Sequence, residues 1–398
     1  MYAVAGSLNR MSDAALNVVI APDSLKGSCS SPEAARALAD GVRSVLGDTA
    51  DLRVVPMADG GEGTLEALVS AWGGRVGEVA TSDALGRPRI GRVGFGQTSS
   101  GGIRAIVEAA DANGLPAVSD VPLQPLGADS AGVGALILAA LDAGADELLL
   151  CLGGSATNDG GAGMLRALGA RLLDRNGNDI VPGARGLADL HQVDLAGLDQ
   201  RAAKVRWGIA CDVDNPLIGP TGAAAVFGPQ KGADVDDVAH IDAGLATLAN
   251  TLADTAGGEA SGLLTARGLG AAGGLALGPV ALFGAELVPG AELVSEAVGL
   301  RAALEGADLV ITGEGRLDSQ SLDGKVVSQV VADSPAGCAV FVVAGAVSLS
   351  SADYRAAGIS AALSIAQGPA TLAELQADAE RLLTEAAAQL VGAFAASR

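Results

Sequence analysis

One unit recurs along this chain and limits what it can fold into. A short, fully apolar run ends in glycine and acid, and a segment of helical period follows. Residues 18–20 lead into "APDSLKGS" (21–28), residues 309–312 into "GEGRLD" (313–318), and residues 148–152 into "GGSATNDGG" (153–161). Strands without a polar face are buried on both sides, so their alternation with helices predicts a parallel sheet covered on both faces. In such sheets ligands bind outside the carboxyl ends of the strands. The glycine–acid loops are therefore the first place to look for a site.

The first strand is read at 17–21. A helix follows, with Ser30 and Glu33 at capping-box spacing and Pro32 in the first turn. Its apolar positions Ala34, Ala35, Leu38, Val42, Val45 and Leu46 recur at helical spacing, and Gly47 stops it. A second strand at 52–56 runs into "MADGGEGT" and a helix to about Trp72. Near the C-terminus the pattern predicts a helix over 291–304, strands within "ADLVITGEGRLD", "CAVFVVAGAV" and "ISAALSI", and a closing helix over 371–394. The middle mixes strands (147–152, 205–210) with helices (129–143, 234–252), and "DRNGND" at 174–179 signals a hairpin turn. The expectation is an α/β chain: a Rossmann-like, doubly wound parallel-sheet domain from 1–72 and 289–398, with a mixed α/β domain, 73–288, inserted into it. Two sequential domains are the alternative.

Composition narrows the function. Apolar residues are 49 % and aromatic ones 2 %, so the cores must be Ala, Val and Leu. A net charge of −21 argues against nucleic-acid and anionic-membrane partners, and an anionic ligand would need a local cationic cluster. Cys29, Cys151, Cys211 and Cys338 form no CxxC pair and read as buried, reduced thiols of a cytoplasmic protein. The two histidines, His191 and His240, are too few for a His-based zinc site and read as surface or loop residues, not as members of a Ser-His-Asp triad. No signal pattern is read at the N-terminus, and the apolar stretch 131–141 is too short to span a bilayer. Residues 1–10 precede a second methionine, Met11, and read as an extension or an alternative start.

The loops themselves carry Asp23, Asp59, Glu62, Asp159, Asp212, Glu314 and Asp318. Lysine is scarce, and Lys26, Lys231 and Lys325 each touch a glycine while Lys204 does not. A lysine is a compact charge suited to phosphate oxygens, and glycine lets backbone N–H groups approach as well. Magnesium takes oxygen ligands, often one or two carboxylates with phosphate oxygens. Acids beside lysines, without a catalytic His or Cys, favour phosphoryl transfer over acyl or hydride chemistry. Neither GxxxxGK[ST] nor GxGxxG follows the first strand, which counts against a dinucleotide oxidoreductase. Asn158–Asp159, followed by Gly160–Gly161 and an apolar helix, predicts an anion site at a helix N-terminus.

Five strings, "APDSLKGS", "ADGGEGT", "GGSATNDGGAGML", "ACDVDNPLIGPTGAAAVFGPQKGA" and "DLVITGEGRLDSQSLDGK", occur in order between about Val18 and Gly345. Together they resemble the bacterial type I glycerate kinase family. The resemblance implies ATP and Mg2+ as cofactors and D-glycerate as the small-molecule substrate. The product it implies is 2-phosphoglycerate, 3-phosphoglycerate being the less favoured one. It also implies a Rossmann-like domain with an inserted α/β domain and the active site between them. By this resemblance Lys26 and Arg316 meet the glycerate carboxylate or the transferred phosphoryl group. Asp23, Ser24, Asp59, Gly60 and Gly61 hold the substrate. Gly153, Gly154, Ser155, Asn158, Asp159 and Lys231 hold the nucleotide, and Asp159 and Asp212 the metal. The general base stays open among Asp59, Asp212, Glu314 and Asp318. Leu25, Cys29 and Ser321 depart from the family pattern, as do residues 130–131 and 267–270, but no charged motif residue is lost. A kinase for another small hydroxy acid, such as tartronate or threonate, and an inactive nucleotide-binding regulator are the competing readings. The chain is expected to be a monomer or homodimer without nucleic-acid or membrane partners.

Overall fold

A computed structural model describes residues 15–397. The Met1-or-Met11 question lies outside these residues. Thirteen strands run through the described part: β1 (Leu16–Ile20), β2 (Ala50–Val54), β3 (Arg75–Ser82), β4 (Pro88–Gln97), β5 (Ile103–Glu108), β6 (Ala145–Cys151), β7 (Arg171–Leu173), β8 (Gln192–Asp194), β9 (Arg206–Ala210), β10 (Glu286–Val288), β11 (Leu309–Leu317), β12 (Ala339–Val347) and β13 (Ala361–Ser364). They belong to two compact units. One is built from both ends of the chain, up to Met57 and from Gly299 onward; the other is Ala58–Val298.

The first unit holds a five-stranded sheet in the order β13-β12-β11-β1-β2, with every pair parallel. Counted within the unit this is 2-1-3-4-5, the flavodoxin-like doubly wound order, whose switch point falls between its first and third strands. Here those strands are β1 and β11. On one face the helices Ser31–Leu46 and Ala379–Ala396 bury Ala34, Leu38 and Val42 with Leu383, Ala387 and Val391 against Val18, Ile20, Leu309 and Ile311. The two helices come close because Gly41 has no Cβ; one there would lie 2.3 Å from the Thr384 carbonyl oxygen. Leu317, Val327, Val342 and Ala344 form a second buried cluster of the same unit. The "TGEG" segment is not a loop. β11 continues through it to Leu317 because β12 runs beside it, pairing Gly313 with Val343 and Arg316 with Ala346.

The second unit holds a six-stranded mixed sheet, β10-β9-β6-β5-β4-β3, parallel from β10 to β5 and antiparallel beyond. Leu136, Ile137, Leu148, Leu150, Leu165, Ile209, Leu245 and Leu248 fill its core. A small β7–β8 ribbon completes it, with the 174–179 turn closed by the Asp174 N–H donating to the Asn178 carbonyl at 2.8 Å.

Three elements differ from the sequence reading. Sequence alone places the Thr64–Ala71 helix in the first unit, with boundaries at 72/73 and 288/289. It packs on β4 and β5, and the units part at Met57/Ala58 and Val298/Gly299. The 291–304 helix divides at Gly299 (φ 73°) into Gly290–Val298 and Leu300–Leu304. The closing helix divides at Asp378. All four cysteines are free, Cys29 and Cys151 buried and the other two half-buried. Among the described residues no helix is long and apolar enough to cross a membrane.

Candidate active site

In the first unit the chain leaves β1 and is stitched to β11 at once. The Ala21 N–H donates to the Ile311 carbonyl and the Asp23 N–H to the Gly313 carbonyl, both at 2.8 Å, and Thr312 Oγ1 donates to the Ala21 carbonyl at 2.7 Å. The Met57 N–H reaches the Pro22 carbonyl at 2.9 Å. A tight turn follows, closed by Leu25 and Cys29 exchanging backbone bonds at 3.0 and 3.1 Å. Both side chains are buried. Lys26 stands exposed at the tip, next to Gly27 (φ +76°), which carries the left-handed conformation of the turn.

The switch point thus gathers five of the expected residues. Asp23 is buried, and its Oδ1 accepts the Ser24 N–H at 2.6 Å. Glu314 is buried on β11, and Arg316, also on β11, is exposed. A Cβ on Gly315, between them, would lie 3.9 Å from the Lys26 backbone nitrogen, so the two strand ends share one rim. Asp318 does local work. It caps the 319–322 turn, accepting the Gln320 N–H at 2.9 Å, while Ser321 Oγ accepts the Asp318 N–H at 3.0 Å.

In the second unit another rim forms at the carboxyl ends of β6, β9 and β10. Asp59 Oδ1 accepts the Gly61 N–H at 3.1 Å. Gly60 (φ +84°) lies where a Cβ would come within 2.8 Å of the Ala210 Cβ, and a Cβ on Gly153 would sit 3.3 Å from the Gly61 Cα. Asp212 Oδ1 accepts the Gly290 N–H at 2.7 Å. A side chain on Gly290 would drive its Cβ to 2.0 Å from the Asp59 carbonyl oxygen. Asp59, Gly60, Gly61, Gly153 and Asp212 are brought together here, with Gly153 and Gly154 exposed.

Four residues expected to touch a nucleotide lie inside the second unit instead. Ser155 is 6 % exposed, Asn158 0 %, Asp159 1 % and Lys231 3 %. Asp159 accepts from the Ser130 N–H and hydroxyl at 3.0 and 2.8 Å, and from the Gly161 and Gly163 N–H groups at 3.2 and 3.0 Å. Burial and the charge of Asp129 push its pKa up, and those donors pull against them. The helix it precedes is only six residues, Ala162–Ala167. Its leading N–H groups are taken: Gly160 donates to the Gly273 carbonyl, Ala162 to the Asp159 carbonyl and Met164 to Ser130 Oγ. The protein's own carboxylate thus occupies the expected anion site. Lys231 Nζ donates to the Thr157 carbonyl at 2.6 Å and to Ser155 Oγ at 3.4 Å. Burial lowers its pKa to about 7. These groups shape the loop that presents Gly153 and Gly154.

Asp212 is exposed, and one of its carboxylate oxygens is held by the Gly290 N–H. Among the described residues no three His, Cys, Asp or Glu side chains converge as a metal cage. An exposed carboxylate fits a magnesium ion that arrives with phosphate oxygens as its other ligands. Sequence reasoning missed Glu108. It closes β5 and is buried, and its Oε1 accepts the Leu65 N–H at 2.8 Å. Burial pushes its pKa up to about 7. The available signal was a single glutamate at the end of the apolar strand "IRAIVE".

A family model described as the glycerate kinase family matches residues 18–395. The chain is 45 % identical over 361 residues to the glycerate kinase of Bacillus subtilis (strain 168), covering 90 % of this chain and 92 % of that one. It is 43 % identical over 311 residues to the glycerate 2-kinase of Escherichia coli (strain K12), covering 78 % and 80 %. A crystal structure assigned as glycerate kinase 2 from Salmonella typhimurium LT2 matches with a TM-score of 0.86 at 40 % identity, covering 96 % of this chain and 99 % of that one. The match runs through both units and both rims, and this chain belongs to the glycerate kinase family and is, by that membership, a phosphotransferase.

Proposed function

We propose that this chain transfers the γ-phosphoryl group of ATP to the 2-hydroxyl of D-glycerate, with magnesium, giving 2-phosphoglycerate. The observation that carries this reading is the switch-point rim. On a chain of net charge −21 it sets two exposed cations, Lys26 and Arg316, beside two buried carboxylates, Asp23 and Glu314. A small hydroxy acid needs that pairing: cations for its carboxylate and the developing phosphoryl charge, acceptors for its hydroxyls. Lys26 and Arg316 take the first task. Asp23 and Ser24 orient the hydroxyls. In the second unit Gly60, Gly61, Gly153 and Gly154 let the backbone close on phosphate oxygens. Asp212 holds the magnesium, which when bound neutralises charge on those oxygens. A carboxylate takes the acceptor proton, and with Asp212 on the magnesium its candidates are Asp59, Glu314 and Asp318. Attack by the 2-hydroxyl is supported by the name of the Escherichia coli relative.

The test is a coupled assay with ATP and D-glycerate, with and without magnesium. Enolase coupling without phosphoglycerate mutase consumes only the 2-phosphate, so signal is expected without mutase. Because enolase itself needs magnesium, the metal dependence is read by quenching the kinase step with and without magnesium and assaying the product afterwards with magnesium restored. Signal that waits for mutase moves the attack to the 3-hydroxyl. No turnover of D-glycerate by a folded sample sinks the reading. A faster rate with tartronate or threonate changes the substrate and leaves phosphoryl transfer standing.

A further inference from the structure

We propose that Glu108 is a positioning residue of this reaction, its carboxylate fixing the turn that carries Asp59. The role rests on the phosphoryl-transfer reading above and adds a residue that no motif of the chain announces. Glu108 is the last residue of β5 and stands in register with Cys151, the last residue of β6, just before Leu152 and Gly153. It is 4 % exposed. Its Oε1 accepts from Leu65 at 2.8 Å, and Leu65 is the second residue of the Thr64–Ala71 helix. The Thr64 N–H and hydroxyl both donate to the Gly61 carbonyl, at 3.3 and 2.7 Å. The Gly61 N–H in turn donates to Asp59 Oδ1 at 3.1 Å. An unbroken path of covalent and hydrogen bonds therefore runs from the buried carboxylate to the Asp59 side chain, all within one unit.

A carboxylate is a costly way to fill that space. The charge is buried, and Glu66 on the same helix and Asp111 after β5 add repulsion. Arg92 of β4 eases this only in part, because it is ion-paired to Asp111 and Glu66. The Cys151 thiol adjoins on β6, itself within range of Asp59 and Asp212. Stability alone asks only for an acceptor opposite the buried Leu65 N–H, and a neutral one serves. What the carboxylate adds is a strong, directional acceptor at a helix N-terminus. That geometry pins the first turn of the helix, and with it the orientation of Asp59.

The test compares Glu108→Gln and Glu108→Ala with the wild-type chain in steady-state kinetics, thermal melts and amide hydrogen exchange. The Gln variant keeps a weaker, neutral acceptor. It is expected to fold with an unchanged or higher Tm at neutral pH, to keep KM for both substrates, and to lose about tenfold in kcat. The Ala variant removes the acceptor and is expected to lose on the order of a hundredfold in kcat, as a displacement near 1 Å can cost. Exchange at Gly61 and Leu65 is expected to rise about tenfold or more in it, the local opening that a lost anchor brings. If the Ala variant does not fold, the Gln variant still decides through its split of kcat from KM. Wild-type kcat in a folded variant, a loss confined to KM, or unchanged exchange at Leu65 in the Ala variant overturns the proposal. Should the wild-type chain fail to phosphorylate D-glycerate, the kinase reading falls by itself, and the exchange experiment still judges whether Glu108 holds the Asp59 turn.

Discussion

Lys26 is one of four lysines among 25 basic residues, and it stands exposed at the tip of a turn whose backbone is fixed by the Leu25–Cys29 bridge. Nothing in the core depends on its side chain. Lys26→Ala should therefore melt within about 0.5 kcal/mol of wild type, yet lose ~10²–10³ in kcat, the usual cost of one charge-stabilising group. Lys26→Arg should recover only part of that loss, because a planar fork does not replace a point charge beside a left-handed glycine. An Ala variant within about threefold of wild type in kcat/KM removes Lys26 from the site. This residue was legible in the sequence because its position follows from a strand end and a turn, both local. Lys231 touches a glycine in the same way, and there the structure places the side chain differently. Its ammonium points into the protein because Thr157 and Ser155, more than seventy residues earlier, supply the acceptors. Glu108 escaped notice for the same reason in reverse. Its partner is a backbone N–H at Leu65, which no side-chain pattern reveals.

At the scale of elements, the strands of the first unit and β6 and β9 of the second were read from their sequence, and β3, β4, β5 and β10 were not. β1, β11 and β12 are built around the apolar runs 18–20, 309–311 and 339–344, and all three appear. β3, in contrast, is an edge strand, "RVGEVATS", with glycine and charge along it and exposure that alternates. The loop after β6 gives the sharpest contrast between reading and structure. "GGSATNDGG" looks like a phosphate loop, and only its first two residues are exposed. The rest folds inward around Asp159, which ties Ser130, at the start of the Ala131–Asp142 helix, to the start of the Ala162–Ala167 helix. This role predicts the outcome of Asp159→Asn. The amide turns an N–H₂ toward donors that need an acceptor, and a buried network loses its charge-assisted bonds. The cost should be about 2–4 kcal/mol, visible as a lower midpoint in a urea melt. Magnesium dependence of the folded fraction should stay as in wild type. A variant of full stability whose KM for magnesium rises instead returns Asp159 to the metal.

At the scale of the whole chain, the inserted unit is continuous and the outer one is not. Every strand of the six-stranded sheet and every residue of its main core falls within Ala58–Val298. The five-stranded sheet instead draws β1 and β2 from before Met57 and its other three strands from after Gly299. β1 sits in the interior of that order, between β11 and β2. Without β11 it shows a bare edge, and the Ser31–Leu46 helix loses the Leu383–Val391 surface that buries it. A helix on two strands cannot cover enough apolar area to fold. The expected behaviour of fragments follows from this asymmetry. Residues 58–298 expressed alone should unfold cooperatively in urea, with coincident transitions by tryptophan fluorescence and far-UV circular dichroism, since both tryptophans, Trp72 and Trp207, lie within them. Residues 1–57 alone should give the spectrum of an unfolded chain and gain structure only when residues 299–398 are added. The cost of losing contiguity is entropic and is met only when β11 arrives to pair with β1. A 58–298 fragment that melts without a cooperative transition, or a 1–57 peptide that folds unaided, would show that the sheets depend on each other in a way their strand orders do not require.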